Sequence, residues 1–349
     1  MQMLQTDVAV VGAGPIGLEL AVALTRAKID YRHFDAKQIG YTVSWFAPGT
    51  RFFSSNERIA IAGVPLQTPE QGKATREDYL AYLRGVVQQF DLKVNTYEPV
   101  VGVERRDGQF LLTTRSCAGE RVCRARRVAL VTGGTDRPRR LNIPGEDLPH
   151  VSHYFRDPHP YFRRRLLIVG GKNSAVEAAL RCHHAGANVS LSYRQGELGS
   201  SIKYWLLPEM NDLIRSGRIA GYFHTAPTRI TQADVTLKSI VPGKMDEGGA
   251  GKAIGFDFVL LLTGYEQDNA LLKLAGVEIQ GDCGSPRFDE RTMETNVPGL
   301  YVAGTAAAGT QDKYKVFIEN CHVHVDRIIA ALTGTAAPTA EAPAALPES

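Results

Sequence analysis

Two stretches of this chain repeat one local plan, and the repetition constrains the fold more than any other feature of the sequence. Residues 7–11 are a short apolar run of the kind expected for a strand buried on both faces. The turn Gly12-Ala13-Gly14-Pro15-Ile16-Gly17 follows, then a helix-compatible stretch over 18–28 and a second strand over 31–34 that ends at Asp35. Far downstream the plan returns. A strand over 166–169 leads into Gly170-Gly171-Lys172-Asn173-Ser174-Ala175, a helix over 176–185, a closing Gly186 and a strand over 188–193. The two turns begin 158 positions apart. Each stretch reads as a βαβ unit of the nucleotide-binding type, which predicts an α/β protein with two Rossmann-like, doubly wound domains.

Two further apolar runs, 128–133 and 258–264, both end in Thr-Gly, and turn-rich sequence follows each. They mark the points where the chain is expected to cross between domains, with the second unit inserted into the first. The expected boundaries are 1–136 and 267–334 for the first domain and 137–266 for the second, and 349 residues suit two such domains. Residues 296–304 read as a late strand, 316–332 as a closing helix and 244–252 as a hairpin loop. The proline- and alanine-rich 335–349 reads as a disordered tail.

Composition narrows the function classes. Apolar residues at 44% and charged residues at 22% are those of an ordinary globular protein. Forty basic against thirty-seven acidic side chains leave +3, too little for a nucleic-acid footprint. No apolar run approaches the ~18 residues of a membrane span, and the N-terminus lacks the basic and apolar regions of a secretion signal. A soluble, cytoplasmic protein with neither nucleic-acid nor membrane partners is expected. Cys117, Cys123, Cys182, Cys283 and Cys321 are scattered without a CxxC, which implies neither a zinc site nor a disulfide framework.

In the first turn Gly12 permits the tight passage from strand to helix, Gly14 lets backbone approach a pyrophosphate, and Gly17 lets helix and strand pack closely. The helix N-terminus that follows offers unpaired N–H groups and a positive dipole end to an anion. Asp35 stands where a carboxylate accepts from an adenosine ribose. The second turn departs from this pattern, because Lys172 fills the middle glycine position and crowds a pyrophosphate unless it turns outward or pairs with it. A plainer reading makes it a capping turn with Asn173 or Ser174 as N-cap. Against that reading, the next strand ends in Tyr193-Arg194 rather than a carboxylate, with Lys203 nearby. An arginine pairs bidentately with a 2′-phosphate, so NADPH is expected over NADH.

The remaining reactive side chains carry less. A lone helical Cys321 reads as a small buried hydrophobe, and Cys117 and Cys123 fall on an expected surface hairpin over 115–126. His322 and His324 do not share a helix face, which argues against a metal pair, and His183-His184 fare no better. Lys313, Lys315, His150, His153 and His159 could receive an acidic substrate, with solvated surface as the plainer reading.

The two nucleotide units, Thr132-Gly133, Ile143-Pro144-Gly145-Glu146 and the run from Pro298 to Gly304 resemble the thioredoxin-reductase-type flavoproteins. More narrowly, Phe53-Ser54-Ser55, His153-Tyr154-Phe155, His159-Pro160-Tyr161-Phe162, Gly170 to Ala175, Ser201-Ile202-Lys203, Thr292 to Gly299 and Phe317-Ile318-Glu319-Asn320 are similar to the bacillithiol disulfide reductase family. The resemblance runs to about Leu332. It implies a homo-oligomer, dimer or tetramer. It also implies FAD at Gly12, Gly14, Pro15, Ile16, Gly17, Asp35, Val100, Thr132, Gly133, Gly304, Thr305, Lys315, Val316 and Phe317. NADPH is implied at Gly170, Gly171, Lys172, Asn173, Ser174, Ala175, Arg194, Lys203 and Gly264. Two positions depart from the family pattern. Ile16 replaces a cysteine that the family typically carries in the first turn, and Thr305 stands where thioredoxin reductases usually have an aspartate.

The expected activity is hydride transfer from NADPH to FAD and then to a small acceptor, by resemblance a low-molecular-weight disulfide such as bacillithiol disulfide. Without a CxxC, and with Ile16 in the turn, no protein dithiol relay is expected. The closing helix, starting after Lys315, is expected to aim N–H groups at the flavin. The alternatives are a reductase of ferredoxin or quinone, a flavin monooxygenase, for which Gly145 and His150 have the wrong spacing, and a flavin-bound redox sensor.

Overall fold

The computed structural model describes residues 3–240, 251–312 and 315–336. Most of the loop expected over 244–252, nearly all of the tail expected over 335–349, and Lys313 lie outside the described residues. The chain divides into two compact units, one made of Met1–Ser44, Gly49–Arg137 and Tyr265–Ser349, the other of Trp45–Pro48 and Pro138–Gly264.

In the first unit β1 (Leu4–Val11) passes through the glycine turn into α1 (Pro15–Arg26) and β2 (Tyr31–Phe34). β3 (Val94–Asn95), β4 (Val100–Arg106), β5 (Gln109–Ser116) and β6 (Gly119–Leu130) follow. The sheet order is β3-β2-β1-β6-β5-β4, with Leu300–Val302 also pairing β6. β6 serves two sheets' worth of neighbours because its sequence changes character. Residues 119–125 pair antiparallel with β5, whereas Val128-Ala129-Leu130, fully apolar, lie in parallel register between Ala9-Val10-Val11 and Leu300–Val302. The hairpin expected over 115–126 is present, but only Cys117 is exposed; Cys123 points inward and is fully buried.

Helix α1 starts at Pro15 rather than 18, since proline is pre-set for the first helical position. Leu18, Leu20, Ala21, Val22 and Leu24 are completely buried, each larger one contributing about 1.5–3 kcal/mol of burial. Val8 and Val10 face one core, with Val302, Val325 and Ile328, while Ala9, Val11 and Phe34 face another, with Leu112 and Leu130.

The closing helix runs His322–Thr333, not from 316. Two side-chain amides explain the late start. Gln311 Oε1 accepts from the N–H groups of Lys315 and Val316, both at 2.9 Å, and Gln311 Nε2 donates to the Val316 carbonyl. Asn320 Oδ1 accepts from Phe317 N–H at 2.8 Å, and Asn320 Nδ2 donates to the Lys315 carbonyl. Side chains thus take the Lys315 and Val316 carbonyls that a helix from 316 would have used.

The second unit is built on a five-stranded sheet in the order Ala220–Phe223, Asn188–Tyr193, Arg165–Val169, Phe258–Leu261, Val151–Ser152, with every pairing parallel. Strand order reverses between Arg165–Val169 and Phe258–Leu261, the switch point at which open α/β sheets bind ligands. The helix after the second turn is Asn173–His184, three residues earlier than expected. Trp45–Pro48 packs into this unit, with Trp45 edge-on to Tyr154 at 5.7 Å and Ala47 buried in its core. Among the described residues no helix is long and apolar enough to cross a membrane.

Candidate nucleotide-binding sites

The first turn is locked from outside and open at its middle. Gly12 adopts φ 107°, and a Cβ there would lie 2.3 Å from the Val131 carbonyl oxygen; one on Gly17 would lie 2.0 Å from the Gly12 carbonyl oxygen. A Cβ on Gly14 would meet nothing within 4 Å. Backbone therefore forbids side chains at both ends, while space lies over the middle. Gly12 N–H donates to Phe34 O, Ala13 N–H to Asp35 Oδ2 at 2.6 Å, and Gly40 N–H to Ala13 O. Gly14 is the N-cap of α1 and makes no side-chain cap, which leaves the helix-start N–H groups oriented for an anion. Asp35 Oδ1 also accepts from Lys37 N–H, so two of about four acceptor sites on the carboxylate are used. Burial raises its pKa against those bonds. These residues fit a dinucleotide whose pyrophosphate lies over Gly14 and whose ribose meets Asp35.

The other expected flavin residues gather around this turn. A Cβ on Gly304 would stand 3.5 Å from Ile16 Cβ, and one on Gly134 would lie 2.9 Å from the Thr305 carbonyl oxygen, which brings the loops after β6 and after Leu300–Val302 together. Gly304 therefore neighbours Ile16, and Gly133 and Gly134 neighbour Thr305. Glu98 N–H donates to Asp35 O, which sets the start of β4, where Val100 is buried, beside the acidic residue. The N–H groups of Lys315, Val316 and Phe317 are held by Gln311 and Asn320, so the expectation that a helix start after Lys315 presents them to the flavin is corrected.

His33 goes unread in the sequence, and His324, read there only against a metal pair, has a partner of its own. His33, completely buried, sits under the turn with Nε2 2.9 Å from Gly12 O, and burial lowers its pKa to about 4, so Nε2–H is the donor of a neutral ring. His324 Nδ1 accepts from Gly304 N–H at 3.2 Å, its pKa also lowered to about 4 by burial and by Arg327 and His322. His322 and His324 do take different partners, since His322 Nδ1 lies 2.7 Å from Glu19.

In the second unit a Cβ on Gly170, φ 141°, would lie 2.4 Å from Leu262 O, and one on Gly171 would lie inside the face of the Tyr193 ring. Lys172 is an extended, exposed N-cap residue without a side-chain cap. The capping reading for Asn173 or Ser174 does not hold. Asn173 Oδ1 accepts from Lys203 N–H at 2.7 Å and ties down the 201–203 loop. Ser174 is exposed and Ala175 buried at the helix start, while Gly264 follows Phe258–Leu261 across the switch point. Arg194 is exposed directly after Asn188–Tyr193. Lys203, expected beside it, is buried and bonds Glu177 at 2.8 Å, because an ammonium in that position needs a carboxylate. The turn, the helix start and Arg194 fit a 2′-phosphorylated dinucleotide.

The thiols are inert where buried. Burial pushes Cys123 up to about 11 and Cys182 and Cys321 to about 12. His153 stands 3.3 Å from Glu146, whose carboxylate gathers the N–H groups of Leu141 and Asn142, and His159 is exposed elsewhere. Among the described residues no His, Cys, Asp or Glu cluster of metal-binding size occurs.

Two glycine turns at the carboxyl ends of parallel strands, on separate sheets, define a protein of the two-dinucleotide class. The chain belongs to the pyridine nucleotide-disulphide oxidoreductase family, whose model matches residues 9–304. It is 36% identical over 332 residues to the bacilliredoxin reductase Bdr of Bacillus subtilis, covering 94% of this chain and 98% of that one. The bacillithiol disulfide reductase Bdr structure from Bacillus cereus superposes with a TM-score of 0.88 at 35% identity, covering 95% and 99%. A ferredoxin–NADP reductase of Ignicoccus hospitalis is 26% identical over 306 residues, 85% of this chain and 89% of its own.

Proposed function

We propose that this chain is an FAD-containing, NADPH-dependent reductase of a low-molecular-weight disulfide of the bacillithiol type. The family's cofactors are FAD and NADPH. The observation that carries the reading is the pairing of each turn with a different group: Asp35 beside the first, Arg194 after the second. A carboxylate suits a ribose diol and a guanidinium a 2′-phosphate. FAD is accordingly read onto 1–136 and 267–334, NADPH onto 137–266, in a homodimer or homotetramer.

When bound, these cofactors supply hydride transfer and delivery of two electrons to the disulfide. The chain's own residues position them. Gly14 and the start of α1 hold the pyrophosphate, Asp35 the ribose, and His33 and His324 fix the Gly12 carbonyl and the Gly304 N–H on either side. Ile16 excludes water from the turn rather than offering a thiol. The similarity to Bdr over nearly the whole of both chains supports the disulfide acceptor. A ferredoxin acceptor has the distant Ignicoccus relative in its favour. Steady-state NADPH oxidation with bacillithiol disulfide, ferredoxin and quinones separates the two: disulfide turnover is expected, and turnover with ferredoxin alone would reverse the assignment.

A further inference from the structure

The turn that carries Arg194 has a second builder on the neighbouring strand. Tyr193 pairs with Phe223 in parallel register, so Arg194 and His224 are the next residues to leave adjacent strand ends. His224 N–H donates to the Gln195 carbonyl at 3.1 Å. A Cβ built on Gly196 would lie 2.5 Å from His224 Nε2 and 2.9 Å from its Cε1, so the ring edge presses on the turn. His224 also takes a left-handed backbone, φ 51°, a conformation that surroundings must hold for a residue with a β-carbon and that clusters at functional sites.

The ring's other nitrogen fixes its tautomer. Nδ1 is buried without a hydrogen-bond partner. An unpaired buried lone pair costs less than an unpaired buried N–H, so of the two tautomers the one with its proton on Nε2, the atom against the turn, is favoured. Lys203, the second cation that the sequence offered, is committed to Glu177. That leaves one guanidinium and one imidazole at the ends of paired strands.

We propose that His224 is a second reader of the 2′-phosphate, its Nε2–H donating to the group that Arg194 engages, and so helps set the preference for 2′-phosphorylated nucleotide. The inference rests on NADPH binding at this unit and adds the residue that discriminates. Calorimetry on the FAD-loaded protein with adenosine 2′,5′-bisphosphate and with 5′-AMP tests it in the parent, His224→Asn and His224→Arg. Asparagine tolerates the left-handed backbone but removes the ring, and arginine returns an N–H donor to the position. The expected result is a loss of about tenfold in bisphosphate affinity for His224→Asn, 5′-AMP affinity within twofold of the parent, and recovery in His224→Arg. Equal losses for both ligands would reduce His224 to a support of the turn, and no loss for either would remove it from the site. A parent protein that binds the two ligands equally would overturn the NADPH reading itself, and this inference with it.

Discussion

Ile16 packs on Gly304: a Cβ built on that glycine would stand 3.5 Å from the isoleucine's Cβ. Ile16 is buried in one core with Val131, Cys321 and Val325. Ile16→Ala is therefore expected to cost about 2–4 kcal/mol in denaturant unfolding and to speed FAD release. Ile16→Cys should carry a thiol that Ellman's reagent reaches only after unfolding. A gain of tenfold or more in disulfide turnover with Ile16→Cys would show that the parent route lacks a thiol it needs.

Alkylation separates the cysteines. Cys117 and Cys283 are exposed, whereas Cys123, Cys182 and Cys321 are buried with raised pKa values. Iodoacetamide at pH 7 should label the first two in the native protein, and turnover should survive, since the thiolate is the reactive form. Inactivation that tracks labelling of Cys321, read by peptide mass spectrometry, would return a thiol to the reaction.

Stability should depend on pH through three histidines. For His322, burial works toward a lower pKa, but the Glu19 hydrogen bond and charge, the Arg58 carbonyl and Asp326 outweigh it and the value is raised. Its contribution is present below the unfolded value near 6.5 and is lost as pH rises through the raised folded value. His33 and His324, lowered to about 4, act the other way: their contribution is present above 6.5 and is lost as pH falls through 4. Asp136, raised to about 6 by burial, opposes them in that acid window. Melting temperatures from pH 4 to 9 should show His322→Gln flattening the alkaline fall and His324→Asn flattening the acid one. Unchanged slopes in both variants would remove these assignments.

The buried pair Lys203–Glu177 separates fold from specificity. Glu177→Ala leaves the Lys203 ammonium buried without its carboxylate and is expected to cost about 3 kcal/mol in thermal unfolding. Arg194→Ala, on an exposed side chain, should leave stability within ~0.5 kcal/mol and raise the NADPH KM far more than the NADH KM. Equal KM effects would count against the 2′-phosphate role.

Much of the architecture is written locally. Val8 to Val11 and Leu166 to Val169 declare buried strands by unbroken apolar runs, and the glycine turns declare themselves because backbone crowds positions 12, 17 and 170. What the sequence hid depends on particular side-chain partners, some of them far along the chain. Helix formation at 316 is pre-empted by Gln311 and Asn320, which no periodicity reveals. His33, His224 and His324 gain their roles from backbone groups 21, 29 and 20 residues away, and Lys203 from Glu177. Trp45–Pro48 joins the second unit from within the first unit's sequence, through ring and core contacts that composition does not encode.

The Asn320 amide offers a separate test of the flavin side. Asn320→Ala removes the bonds that hold Phe317 N–H and Lys315 O. At about 1 kcal/mol for each of the two bonds, FAD affinity is expected to fall by up to about thirtyfold, read by recovery of flavin fluorescence on dilution. Retention equal to the parent would place the 315–317 segment away from the flavin.

Anaerobic titration of the purified protein with NADPH, followed at the flavin absorption band and then by addition of bacillithiol disulfide, tests the whole account most directly. The prediction is a yellow protein, bleached by one equivalent of NADPH per chain and recoloured by the disulfide. A colourless protein that takes up no FAD, or a bound flavin that NADPH leaves oxidised, would contradict it.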